Sequence, residues 1–151
     1  MDSAQRLRAH GLHVTAQRLA ILRAVALHPH GSADTIAKAA RCELGSLSQQ
    51  AAYDALWLFV EKGLLRSIQP AGSPALFDPR ADDRHHHAVC RTCARVTDID
   101  VSEVDAARAL ATCGSVSSHS GYRIDEAEVV YWGHCPACRT AHAVDAMAVS
   151  P

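Results

Sequence analysis

Two short cysteine pairs, Cys90-Arg-Thr-Cys93 and Cys135-Pro-Ala-Cys138, restrict the folds open to this chain more than any other feature. Each Cys-x-x-Cys sets two thiols on a tight knuckle, and two knuckles together supply the four-sulfur tetrahedron that zinc prefers. The long stretch between Cys93 and Cys135 means that such an ion staples distant strands rather than closing a small finger. The other use of a Cys-x-x-Cys is a redox dithiol, which leaves the second pair to be explained separately. A chain of 151 residues suits one ordinary domain or two small ones, and small domains gain most from a structural metal. No apolar run is long enough to cross a membrane, and "MDSAQRLRAHG" lacks the charged-then-apolar pattern of a secretory leader, so the expectation is a soluble, cytoplasmic protein. In that reducing compartment paired cysteines read as metal ligands rather than as a disulfide framework. Cys42 and Cys113 stand outside the pattern and are expected to be small buried apolar residues.

Charge divides the chain near Pro79. Residues 1–80 carry nine Lys or Arg against six Asp or Glu, whereas 81–151 carry six against ten, together with both cysteine pairs and six of the ten histidines. The N-terminal half could lie on a polyanion, while the C-terminal half has the composition of a cation binder. In the N-terminal half, Thr15 is a plausible N-cap for a helix with a stripe of Leu19, Leu22, Val25 and Ala26, stopped by Pro29 and Gly31. A second helix follows Ser32, and a third follows Ser48 with Ala52, Leu56, Phe59 and Val60 on one face and Gly63 at its end. The segments "LLRSIQ" and "PALFD", joined by the turn-forming "PAGS", then read as two short strands. Three helices and a β-hairpin make the winged form of the helix-turn-helix, whose third helix enters a major groove while the hairpin touches the backbone. Ser48, Gln49, Gln50 and Tyr53 lie where side chains reach base edges, and Arg18 and Arg23 could neutralise phosphates. Asp54 beside Tyr53 would repel a phosphate or select a base amino group. A small helical domain with ordinary solvated arginines is the plainer reading of the same features.

The histidines separate from the cysteines by parity. If "HHHAVC" is a strand, alternation sends His85 and His87 to one face and His86 to the other. With Cys90 committed to sulfur coordination, His85 and His87 begin a second site of nitrogen and oxygen character, suited to iron, manganese or zinc. A histidine cluster of this kind is also found as a solvated strand end.

The order "GLHVTAQRLAIL", "QAAYDAL", "HHHAVCRTC", "VVYWGHCPAC" resembles the ferric uptake regulator superfamily over about residues 4–140, and is most similar to its peroxide-responsive branch and catalase-linked relatives. The resemblance implies an α+β chain: a winged helix-turn-helix DNA-binding domain with hinge at 1–80, then a small α/β dimerisation domain at 81–140 with a four-cysteine zinc, then a flexible tail at 141–151. It implies a homodimeric, metal-dependent repressor that binds an operator in double-stranded DNA and takes no small-molecule substrate. The regulatory ligands it implies are His30, Asp78, His85, His87 and Asp98, with His28 as a rival to His30. They would hold iron or manganese, with zinc able to enter in vitro. The family often has Glu at the position of Asp78. A bound ion would tie the DNA-binding module to the second domain, and loss of the ion, or its reaction with peroxide, would release the operator; oxidation of the zinc thiolates is a second route.

The chain also departs from the superfamily pattern. Ala127, between Glu126 and Glu128, stands where many relatives carry the histidine of a further metal site, so no third site is expected, and His86, Asp105 and His119 are read as exposed polar residues. Asp54 replaces a commonly basic residue. An enzyme is not expected, since no nucleophile motif or phosphate loop is present. An iron, zinc or nickel homeostasis repressor, and more distantly a plain zinc-ribbon interaction protein, are the alternatives.

Overall fold

The computed structural model describes residues 2–81, 85–100, 102–124 and 129–139, with only the backbone course for 103–110. The expected tail at 141–151, the side chain of Asp105, and Glu126, Ala127 and Glu128 lie outside the described residues. The chain divides into two compact units, Met1–Asp83 and Arg84–Pro151. The first is a winged helix-turn-helix and the second a small α/β unit, which makes the chain α+β.

The first unit opens with a helix that apolar periodicity does not reveal, α1 (Ser3–Ala9). Its start is written in a reciprocal cap: Asp2 accepts from the Ala4 N–H at 2.8 Å, and its own N–H donates to Gln5 at 3.2 Å. Leu7 is fully buried, and Arg6 donates to the carbonyls of Leu64 and Pro79 at 3.3 and 3.2 Å. The helices α2 (Ala16–Leu27), α3 (Ala33–Leu44) and α4 (Gln49–Glu61) start at Thr15, Ser32 and Ser48, each of whose hydroxyls accepts from the third residue on. Helix α4 stops before Gly63, whose φ of +69° is the left-handed conformation that glycine adopts without cost.

The stripe on α2 differs from the sequence expectation. Ala20, Ile21, Leu22, Ala24 and Val25 are buried, whereas Leu19 is half-buried and Ala26 exposed. "AQRLAILRAVAL" is apolar almost all round, so its periodicity singles out no face. The small Ala20 and Ala24 instead allow close approach of the neighbouring helices, among which α3 makes the broadest contact. The core joins Leu7, Ile21, Ile36, Leu56, Phe59, Leu64 and Phe77, each worth roughly 1.5–3 kcal/mol on burial.

The wing has three strands rather than two. The strands β2 (Arg66–Ile68) and β3 (Leu76–Asp78) pair antiparallel around the turn Pro70–Ser73, where Gly72 takes φ +80°. A two-residue strand, β1 (Gly31–Ser32), pairs with the other edge of β3 in the register Gly31↔Phe77.

In the second unit β4 (His85–Cys90) is the centre of a sheet ordered β5-β4-β6. It pairs antiparallel with β5 (Val96–Asp100) and parallel with β6 (Val130–Gly133), and the helix α5 (Glu103–Ser120) runs between those two. Among the described residues no helix is long and apolar enough to cross a membrane.

Candidate metal centres and nucleic-acid interface

The sulfur site follows from strand pairing. The hairpin between β4 and β5 carries the first knuckle: Cys90 accepts at its carbonyl from the Ala94 N–H, and donates its own N–H to Arg95, both at 2.9 Å. Parallel pairing sets Cys90 opposite Gly133, so Cys135 emerges beside the first knuckle and begins the helical turn over 136–139 that carries Cys138. One sulfur from each of Cys90, Cys93, Cys135 and Cys138 lies within 4.8 Å of all the others. Four Zn–S bonds of about 2.3 Å in a tetrahedron put sulfurs about 3.8 Å apart. The Cys93 and Cys135 sulfurs are 3.8 Å apart, which fits.

The proton chemistry of these thiols fits a dication as well. N–H groups of Cys135 and then Cys93 donate to the Cys90 sulfur and hold its thiol down to about 5. The Cys138 N–H within the helical turn lowers Cys135 in the same way. Cys138 is pushed up to about 12, first by its hydrogen bond with Cys135 and then by that with Cys93, because a further thiolate would crowd negative sulfurs together. Such a set is one that a dication neutralises. Cys42 and Cys113 take no part. Against expectation Cys42 is exposed on α3, with its thiol directed at the Lys38 carbonyl at 3.4 Å, and Cys113 is half-buried on α5.

The histidine parity is visible in β4: His85 and His87 are buried at 4% and 0% exposure, and His86 is half-buried against Tyr131. The two buried imidazoles meet with Nε2 atoms 3.1 Å apart and rings tilted at 77°. Asp98 is the cross-strand partner of His87 on β5, so its side chain rises on the same face, with Oδ1 3.9 Å from both Nε2 atoms. Metal–nitrogen bonds of about 2.0–2.1 Å set adjacent ligand nitrogens roughly 2.9–3.4 Å apart, a range that contains the imidazole pair. Two histidines and a carboxylate form a mixed nitrogen and oxygen donor set. Strand β4 therefore carries potential donors of two chemical kinds, imidazole at one end and thiol at the other.

The first unit brings together a second group of donors. The wing register sets His30, just before β1, across from Asp78 at the end of β3: the His30 N–H donates to the Phe77 carbonyl at 3.0 Å. His30 Nε2 lies 4.0 Å from Asp78 Oδ2, with both side chains at or below 10% exposure. His30 takes φ +58°, a left-handed conformation uncommon outside glycine, and this aims it at Asp78. His28 is exposed at the end of α2. His119 is exposed near the end of α5, where it bonds the Ser115 carbonyl at 2.8 Å.

On the nucleic-acid side, Ser48 caps α4 and so has its hydroxyl engaged with the Ala51 N–H at 3.0 Å. Gln49 is held by Arg41 and Asp34 and works as a tether between α3 and α4. Gln50 and Tyr53 are exposed, lining a groove between α4 and the wing with Gln69 and Pro74. Arg18 donates to the His13 carbonyl at 2.9 Å, and Arg23 is paired with Glu43 rather than standing free for phosphate.

The ferric uptake regulator family model matches residues 9–129. Transcriptional regulator FurA of Mycobacterium tuberculosis is 47% identical over 137 residues, which is 91% of this chain and 90% of its own length. Ferric uptake regulation protein 1 of Mycolicibacterium fortuitum is 40% identical over 145 residues, covering 96% and 87% respectively. The solved structure of the Campylobacter jejuni peroxide stress regulator superposes with a TM-score of 0.65 at 26% identity, over 91% of this chain and 100% of that one. The likeness shows the family without singling out its peroxide-responsive branch, since identity is higher to FurA than to the peroxide regulator.

Proposed function

This chain belongs to the ferric uptake regulator family and is a metal-dependent transcriptional regulator, not an enzyme; from that premise we propose a homodimeric, peroxide-responsive repressor acting on operator DNA in the cytoplasm. Its structural zinc ligands are Cys90, Cys93, Cys135 and Cys138. Its regulatory ligands are His30, Asp78, His85, His87 and Asp98. The observation that carries the reading is the buried imidazole pair of His85 and His87 facing Asp98, a polar cluster that a sheet core does not need and a cation does.

When bound, iron or manganese supplies a dication and, in the ferrous case, a centre that reacts with peroxide. The chain's own residues do the rest. His30 and Asp78 belong to the DNA-binding unit and the other three to the second, so a shared ion favours one arrangement of the winged domains over others. DNA and metal then strengthen each other's binding by the same factor. Oxidation of any one of His30, His85 or His87 removes a donor and with it the preference for the DNA-competent state. The cysteine thiolates offer the second oxidisable set. A homeostasis repressor for iron, zinc or nickel is the competing reading, favoured by the higher identity to FurA.

The test is affinity of the zinc-loaded full chain for a duplex enriched from a random-sequence pool, measured anaerobically with and without Fe(II) or Mn(II), then after a peroxide pulse. Metal-dependent binding abolished by peroxide in the iron form and retained in the manganese form is expected. Metal-dependent binding indifferent to peroxide moves the protein to homeostasis, and binding indifferent to both removes the switch.

A further inference from the structure

We propose that Asp54 is a positioning residue for Gln50, and that the pair makes α4 select adenine at one base pair of each operator half-site. The inference rests on the reading of α4 as the recognition helix of a DNA-binding regulator. Helix α4, Gln49–Glu61, contains no lysine or arginine and two acids, Asp54 and Glu61. It has no cationic side chain to grip phosphates, which shifts the weight of its contribution to recognition toward hydrogen bonds and apolar contacts to base edges. Gln49 is engaged by Arg41 and Asp34, which leaves Gln50, Tyr53 and Asp54 exposed at its N-terminal end.

Gln50 Nε2 donates to Asp54 Oδ1 at 2.7 Å, one helical turn on. A carboxylate only accepts, so the end of the Gln50 amide that faces it is the nitrogen. That nitrogen carries two protons. With the one directed back along the side chain given to Asp54, the other lies on the same edge as Oε1. A donor and an acceptor side by side complement the N7 acceptor and N6 amino group of adenine in the major groove. Guanine offers two acceptors there, and Oε1 would meet one of them. Gln50 and Tyr53 also line the groove toward the wing, which puts the amide on the side a duplex would occupy.

The test uses the full-length, zinc-loaded protein saturated with Mn(II). Sites are enriched from a random-sequence duplex pool, and affinities are then measured for the best duplex and its single-base variants with wild type, Gln50→Ala, Asp54→Ala and Asp54→Asn. All substituted positions are exposed, so the variants keep the fold. Wild type is expected to prefer adenine at one position by about tenfold or more, the discrimination of a bidentate pair. Gln50→Ala and Asp54→Ala lose that preference at that position alone, and Asp54→Asn, whose carbonyl oxygen still accepts from Gln50, keeps most of it. A cytosine preference lost only in Asp54→Ala overturns the proposal in favour of direct reading by Asp54. Equal gains on every sequence for both Asp54 variants overturn it in favour of simple phosphate repulsion, and an unchanged pattern in Asp54→Ala removes the positioning role. If wild type enriches no duplex, the regulator reading fails and takes the proposal with it.

Discussion

His87 is the single residue on which the proposed regulatory chemistry most depends, because it is fully buried, touches His85 and faces Asp98 across the hairpin. His87→Ala is expected to abolish Mn(II) binding at the second site and metal-dependent DNA affinity, while zinc content stays unchanged. Metal analysis and titration check this, and manganese binding at wild-type affinity would remove His87 from the ligand set. Ala94 closes the first cysteine knuckle at φ +57°, where a β-carbon costs about 1–2 kcal/mol. Ala94→Gly relieves that strain, offset in part by added unfolded-state entropy, so a net gain of about 0.5–1 kcal/mol is expected in thermal unfolding of the zinc-loaded protein; a lower midpoint would refute it. At this scale the sequence was informative where chemistry is encoded by parity, as in His85 and His87. It was silent where conformation decides: nothing in "HPH" separates His30 from His28 until the wing register sets one of them beside Asp78. Cys42 was misread because cysteine is usually buried, whereas its place on α3 is exposed.

Among the elements, the junction of α2, β1 and α3 is closely packed at Gly31. A β-carbon on Gly31 would lie 2.9 Å from the His28 carbonyl oxygen and 3.3 Å from Ile36 Cγ1. Gly31→Ala must therefore shift backbone, at a cost of about 1–3 kcal/mol, and carry His30 with it. Both a lower unfolding midpoint and weaker Mn(II) binding are expected, and an unshifted midpoint would show that the loop yields freely. The capped helices α2, α3 and α4 and the hairpin strands were readable because caps, apolar content and turn residues agree there. Helix α1 was missed because seven residues with one buried side chain carry almost no periodicity; its signal was the Asp2 and Gln5 cap. Strand β1 was missed because two residues become a strand only through a partner far along the chain.

The two units of the molecule are stabilised by different means. The apolar core from Leu7 to Phe77 lies wholly in the first, whereas among the described side chains of the second only Val89 and Cys90 are buried apolar residues. Chelating zinc is expected to melt the second unit while the first keeps a cooperative helical transition, so calorimetry of the chelated protein should show the first unit's event alone. Loss of both together would mean that the first unit does not stand alone. The division near residue 80 was legible from charge, but the shared use of β4 was not, because it depends on which strands flank it. That sharing couples the two groups of donors through one strand. The pairing of β4 with both neighbours is pinned at its far end by the thiol knuckles, and a slip of one residue would turn His85 and His87 out and His86 in. On the proposed assignment of the thiols to zinc and the imidazoles to a second metal, zinc supply sets the ceiling on regulatory sensing: a chain made in a zinc-starved cell would be deaf to the second metal however abundant that metal becomes.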